Sequence, residues 1–450
     1  MELVGQVVIG IIMFFVVIGA IAAIRDDNHG LGAEFKAGLH SIGPIFIPVA
    51  GIMASIPYLA VFVEEVIGPV FALFGGSRAM ASTTFIAVDM GGYQLALATA
   101  ENTDAWVMAA VVGYMAGATL VFSIPVGLAM LDPRDHKYMA LGIMSGILTI
   151  PIGVLVTVGI LSATGTMVRD DVSTDAASTH EFSMGLGEML ANLAPLVIVV
   201  VLIALGLRFR APMMIRGFIW FGRFLDAALK LVLALAIVEY FTGFLTWVLG
   251  SWGFDPIIAD EADQFRALEI AGYIGIMLAG AFPMVWAIRT YLARPLAVIG
   301  SKVGISAEGS AGLLAAAANI LALFHLIRSM PAKDKVITIA FAVSSAFLLG
   351  DHLAFTANFQ PNLIGPLLIG KLTGGILGIL LAVWIAVPTA QKLEREEEGQ
   401  ERVEESVDLR GASVVESGDL GASDGAPLGA GATVPDHRRA SDRHQGTPSL

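Results

Sequence analysis

Cysteine is absent from the 450 residues, and only 14% of them are charged. The first absence excludes disulfide staples, thiolate catalysis, thiolate metal centres and iron–sulfur clusters. The second excludes an ordinary soluble domain, whose surface uses about 25% charged residues. No basic stripe exists and the net charge is −13, so nucleic acid is not expected as a partner. From Gln391 onward there are 13 acidic and 7 basic residues, so much of that acidity lies in a tail. A complete phosphate-binding loop is also missing. Gly365–Leu372 comes close, but Leu372 stands where a Ser or Thr would have to reach Mg²⁺, so an ATP-driven pump is not expected. No H-E-x-x-H zinc motif occurs either.

What is abundant is apolar. Residues of that class make up 56% of the chain, and the mean hydropathy is +0.78. Runs long enough to cross a bilayer, about 20 residues each, recur at 3–24, 41–63, 105–130, 138–165, 187–208, 228–250, 268–290, 335–357 and 361–388. The run at 3–24 is too long for a signal-peptide core and no cleavage site follows it, so it reads as a helix that stays. Segments 66–100 and 303–327 are apolar but rich in Gly, Ser, Thr or buried polar residues, as broken or re-entrant helices are. The fold class is therefore all-α, a polytopic integral membrane protein with about 9–11 transmembrane helices, two of them broken or re-entrant.

Lys and Arg orient the spans. Arg208, Arg210, Arg216 and Arg223 place their loop in the cytoplasm, as do Arg289, Arg294 and Lys302, and Arg328, Lys333 and Lys335. The acidic loops 169–181 and 251–266 fall outside. Segment 303–327 then enters and leaves from the inside, and 66–100 from the outside, with Arg78 weighing against the latter. The halves also echo each other. Pro57 and Pro69 are twelve apart, as are Pro283 and Pro295, and each pair follows a Gly-Ile-Met. The run from Gly117 to Ser123 resembles the run from Gly350 to Thr356, and each leads to a G-x-x-x-G helix, Gly142/Gly146 and Gly370/Gly374. Common order with opposite orientation predicts an inverted repeat. The expected organisation is 1–165 as a first membrane repeat, 166–227 as a linking helix and basic loop, 228–390 as a second repeat and 391–450 as a disordered, acidic, cytoplasmic tail.

Ionisable groups at bilayer depth cost about 3 kcal/mol or more, so they mark function or a compensating partner. Asp89, followed by the helix-breaking pair Gly91-Gly92 and by Tyr93, reads as a cation-binding carboxylate at a helix break or as a cap on a half-helix. Asp351-His352 reads as a cation site or proton relay, or as a pair at the outer interface. Asn319, in an alanine run, holds in its half the place Asp89 holds in the other. It would hydrogen-bond a ligand or join helices; His325 reads as interfacial. Ser123–Gly127 and Thr149–Gly153 each put a proline in a span, as a kink or as a source of free carbonyls. Trp106, Tyr93, Tyr114 and Trp286 are candidates for an ammonium cage or for interfacial belts.

The strings Val88–Tyr93, Val121–Gly127, Tyr138–Ile143, Thr149–Gly153, Arg266–Ile270, Ala281–Met284 and Leu349–Leu353 resemble, in order, the ethanolamine utilisation permease family (EutH). The resemblance runs from about residue 3 to 388 and omits the tail. It implies import of ethanolamine across the bacterial inner membrane by a secondary transporter or facilitator, without a cofactor and with H⁺ or Na⁺ as candidate coupling ions. Ethanolamine is an ammonium with a hydroxyl two carbons away. Asp89 and Asp351 would meet the charge, while Asn319, His352, Tyr93 and carbonyls freed around Gly91 and Gly92 would supply hydrogen bonds. The residues alone leave open a cation-coupled carrier of another small amine, a passive channel, and an enzyme acting on amino-alcohol head groups, although no D-G-x-x-A-R motif supports the last. Oligomeric state is not legible.

Overall fold

The computed structural model describes residues 1–302 and 304–400. Its helices run in the order α1 (Glu2–Arg25), α2 (Gly30–Ala54) and α3 (Ile56–Leu73). A first helical hairpin follows, α4 (Arg78–Phe85) and α5 (Gly92–Thr99). Then come α6 (Thr103–Met130), α7 (Pro133–Ala163), α8 (Leu186–Thr242), α9 (Phe244–Leu249) and α10 (Ala267–Lys302). A second hairpin is built from α11 (Ala307–Ala318) and α12 (Ile320–Ile327). An interrupted helix, α13 (Ala332–Ser345) and α14 (Asp351–Phe359), leads to α15 (Pro361–Ile385). Among the described residues the only strands are Met167–Val168 and His180–Glu181, an antiparallel pair in a loop.

Eight of these stretches are long and apolar enough to cross a membrane. One of them, α8, is two helices merged across a kink at Arg210, just before Pro212. The interrupted helix α13–α14 is not among the eight. Dividing the first and adding the second brings the count into the range read from composition. Boundaries moved in two places. The apolar run 41–63 is divided at Ser55, because Pro57 starts a new helix and the Ser55 hydroxyl donates to the Gly51 carbonyl (2.8 Å). Residues 66–73 belong to α3, so the first hairpin begins only at Arg78. Of the tail expected from 391, residues 391–400 are helical and the remainder lies outside the described residues.

Burial sorts the helices into layers. In α6, 94% of the most apolar window is buried, against 11% in α1. The more apolar helix, α1 (mean hydropathy 3.1), thus lies on the outside, and the less apolar α6 (2.0) lies at the centre. Small residues let the central helices touch. A Cβ on Gly146 would lie 2.4 Å from the Ala340 carbonyl oxygen, and one on Gly370 would lie 2.5 Å from that of Gly153. Thr149 donates across the same contact to the Gly374 carbonyl (2.8 Å), and Thr119 donates to that of Val343 (2.7 Å). The Thr-Ile-Pro motif therefore serves packing between α7 and α15.

The hairpins enter from opposite ends of the bundle. Ser77 caps α4 by accepting from the Ala79 amide, and its hydroxyl donates to the Glu101 carboxylate, which joins the two ends of the first hairpin. The second hairpin is held at its mouth by Asp334, which accepts from the Ser306 amide (2.9 Å). Helix α6 starts beside the first mouth. Past its far end, Asp132 and Asp135 meet Arg328 (3.1 Å) and Lys335 (2.7 Å) beside the second mouth. One helix length therefore separates the mouths, and the tips point toward each other.

Candidate functional site

Both tips dock on glycines of the helices that follow them. A Cβ on Gly117 in α6 would lie 2.2 Å from the Ile86 carbonyl oxygen of the first tip. A Cβ on Gly350 would lie 2.2 Å from the Ala318 carbonyl oxygen of the second. Around Gly117 the helix widens to π geometry, and before Gly350 it unwinds altogether. The unwound stretch does not leave its backbone orphaned. Phe347 and Leu349 donate their amides to the carbonyls of Ala316 (3.2 Å) and Ala317 (2.8 Å), as backbone at membrane depth must. Phe347 (φ 60°) is the one non-glycine residue with positive φ among the described residues.

A cavity of 280 Å³ lies where the tips meet. Its polar lining is Asp89 from the first tip, Asn319 from the second, Asp351 and His352 from the start of α14, and Ser41 from α2. Ile45, Phe122, Phe282 and Phe347 contribute apolar wall. Asp89 and Asp351 remain partly accessible, and among the described residues neither takes part in an ion pair. The side-chain oxygen of Asn319 caps α12, accepting from the Leu321 amide (2.8 Å) and leaving its NH₂ group for other partners. The outer-interface alternative for Asp351-His352 does not apply, because the pair follows a break inside the bundle.

Three of the sequence-selected residues lie elsewhere. Gly91 (φ 94°) turns the first tip, where a Cβ would be 2.8 Å from Ile52 Cγ2. Gly92 starts α5 so close to Ala87 that a Cβ would meet its carbonyl oxygen at 2.5 Å. Both shape the tip without lining the cavity. Tyr93 points away from it: its hydroxyl accepts from Gln360 (2.8 Å) and its ring packs on Trp106, centroids 4.6 Å apart. The four candidate rings form no cage among the described residues: Tyr93 packs on Trp106 and Tyr114 on His352, while Trp286 lies beside Gly30.

Lys371 is the residue that motif reading passed over. It is fully buried in α15, donating to the Tyr114 carbonyl (2.7 Å) and lying 2.9 Å from His352 Nδ1. His352 Nε2 is buried with no partner among the described residues. The only sequence signal was a lysine inside an apolar span, visible as the near-match to a phosphate loop.

A second cavity of 510 Å³ lies beside the acidic loops, lined by Gln94, Asp171, Asp255, Asp263 and Arg266 among others. Arg266 faces Asp255, Asp260 and Asp263 at 3.5–3.7 Å. Burial raises the Asp255 carboxyl above its ordinary value despite that cation. Met53 lines this cavity, and Gly91 packs on Ile52 and Met53, so the first tip stands between the two cavities.

Comparison with known proteins agrees with the resemblance. The family model described as "Ethanolamine utilisation protein, EutH" matches residues 4–385. The chain is 35% identical over 374 residues to a Listeria monocytogenes protein named "Probable ethanolamine permease EutH", covering 83% of this chain and 92% of that one. An Escherichia coli protein of the same name is 35% identical over 393 residues, 83% and 93% of the two chains. A Bacillus subtilis protein, "Uncharacterized protein YxeR", is 31% identical over 377 residues, 83% and 92%. No solved structure matches. The match spans every membrane helix that builds the two hairpins and the cavity between them: the chain belongs to the EutH family.

Proposed function

We propose that the protein carries ethanolamine across the bacterial plasma membrane as a secondary transporter or facilitator. The observation that carries this reading is the convergence of two hairpin tips, from opposite ends of the bundle, on a cavity holding two carboxylates without ion-pair partners. Intramembrane carboxylates that no protein cation pairs directly favour a cationic ligand. The relatives' name supplies the identity of that cation.

In this reading Asp89 and Asp351 pair the ammonium, and Asn319 and His352 hydrogen-bond the remainder. Gly91 and Gly92 form the tip that carries Asp89. The order of hairpin, distorted helix and helix occurs in both halves, with Gly117 and Gly350 each receiving a tip carbonyl. This supports an inverted repeat and, with it, alternating access around a midplane site. Outward opening would require the first tip to leave Ile52 and Met53.

The test is uptake of labelled ethanolamine into proteoliposomes, with Na⁺ and pH gradients varied separately. Saturable uptake that Asp89→Asn and Asp351→Asn each reduce at least tenfold is expected. Gradient dependence distinguishes symport with Na⁺ or H⁺ from facilitation. Uptake that never saturates favours a channel, and block by other small amines at equal concentration favours the broader amine carrier. Full uptake by folded Asp89→Asn removes Asp89 from the site.

A further inference from the structure

We infer that Lys371 is a positioning residue: it holds His352 as a hydrogen-bond donor toward the cavity, so that the site reads the hydroxyl of an amino alcohol as well as its charge. This rests on the functional reading of the cavity above.

The argument starts from donor arithmetic. A lysine ammonium has three N–H donors and no acceptor. Lys371 Nζ spends one on the Tyr114 carbonyl (2.7 Å) and has His352 Nδ1 at 2.9 Å. With Lys371 held as the ammonium, Nδ1 accepts. An imidazole accepting at Nδ1 is neutral and carries its proton on Nε2. The rest of the ring is fixed. Thr356 Oγ1 bridges the His352 carbonyl (2.6 Å) and the Tyr114 hydroxyl (2.8 Å), and Tyr114 and Phe347 pack against the imidazole with centroids 5.2 Å away. Nε2–H is then a buried donor on a residue that lines the cavity, with no protein acceptor among the described residues.

Carboxylates supply only acceptors, so Asp89 and Asp351 suit an ammonium or the proton of a hydroxyl. A fixed N–H donor adds the complementary demand for a lone pair. The hydroxyl oxygen of ethanolamine meets it, and the methyl of ethylamine leaves the donor unpaired. Sites that hydrogen-bond a ligand hydroxyl discriminate strongly against analogues lacking it. Without Lys371 the imidazole is free to carry its proton on either nitrogen, and this demand lapses.

The experiment compares unlabelled ethanolamine with ethylamine as inhibitors of labelled ethanolamine uptake. Wild type should prefer ethanolamine by about a hundredfold or more. Lys371→Met and His352→Phe should each narrow that preference to within about tenfold, whereas His352→Gln, which keeps an amide donor, should restore much of it. A purely structural lysine would weaken both inhibitors equally and leave the ratio unchanged, and that result overturns the inference. ¹⁵N nuclear magnetic resonance of histidine-labelled wild type gives a second reading that needs no variant to fold. An Nε2–H tautomer at His352 is expected, and a proton on Nδ1 overturns the inference. Wild type that takes up no ethanolamine would sink the functional reading, and the tautomer then decides the Lys371–His352 link by itself.

Discussion

Lys335 Nζ lies 2.7 Å from Asp135 Oδ1, with both side chains buried where the start of α13 meets the first turn of α7. Removing one member of such a pair strands the other charge. Lys335→Met should therefore destabilise the protein by about 3–5 kcal/mol, read as a lower melting temperature in detergent. Adding Asp135→Leu should recover most of the loss. Equal loss in the single and double variants would show that the pair acts through shape and not through charge.

The glycines of the central contact should be unequal. Gly146→Ala pushes a methyl to 2.4 Å from the Ala340 carbonyl, whereas a Cβ on Gly159 meets nothing within 4 Å. Overpacking of the first kind costs about 1–3 kcal/mol. An open helical position instead gains about 0.5–1 kcal/mol from losing glycine. Thermal unfolding of the two variants should move in opposite directions.

Gly91→Ala tests the first tip. The left-handed conformation costs an L-residue about 1–2 kcal/mol, and the new methyl would press on Ile52. Uptake should fall more than the melting temperature suggests, because the tip carries Asp89. Unchanged uptake would mean that the tip tolerates displacement.

Arg169 organises the loop beside the acidic strand pair. Its guanidinium donates to the carbonyls of Ser173, Thr174, Ala176, Asn358 and Phe359. A lysine has no planar fork with which to reach them all. Arg169→Lys should cost about 1.5–3 kcal/mol and speed proteolytic nicking of 170–181 from the loop's side of a sealed vesicle, with little effect on the melting of the central helices.

How far the site was legible depends on the kind of evidence each residue carries. Asp89, Asn319 and Asp351-His352 stood out because a polar group in an apolar run is conspicuous without any neighbour. Tyr93 stood in the same motif as Asp89, yet the turn at Gly91 starts a new helix whose rotation sends the ring to Trp106 and Gln360. The hairpin boundary slipped at residues 66–77 because α3 continues through Pro69 to Leu73, and the chain turns only at 74–77. Lys371 was visible only as part of a failed phosphate motif, since its role depends on α15 packing against α14.

The sequence by itself determined the membrane class, most of the spans and the intramembrane polar residues. These follow from the length of apolar runs and the cost of charge in hydrocarbon, both of which are local properties of the chain. Only the tertiary structure decided which polar groups share a cavity. Two tips meet because Gly117 and Gly350 admit their carbonyls, and His352 faces a lysine because Gly374, Gly375 and Gly378 seat α15 closely on α13, the helix that α14 follows. Such meetings depend on helix rotation and close approach across distant segments, which no run of neighbouring residues encodes.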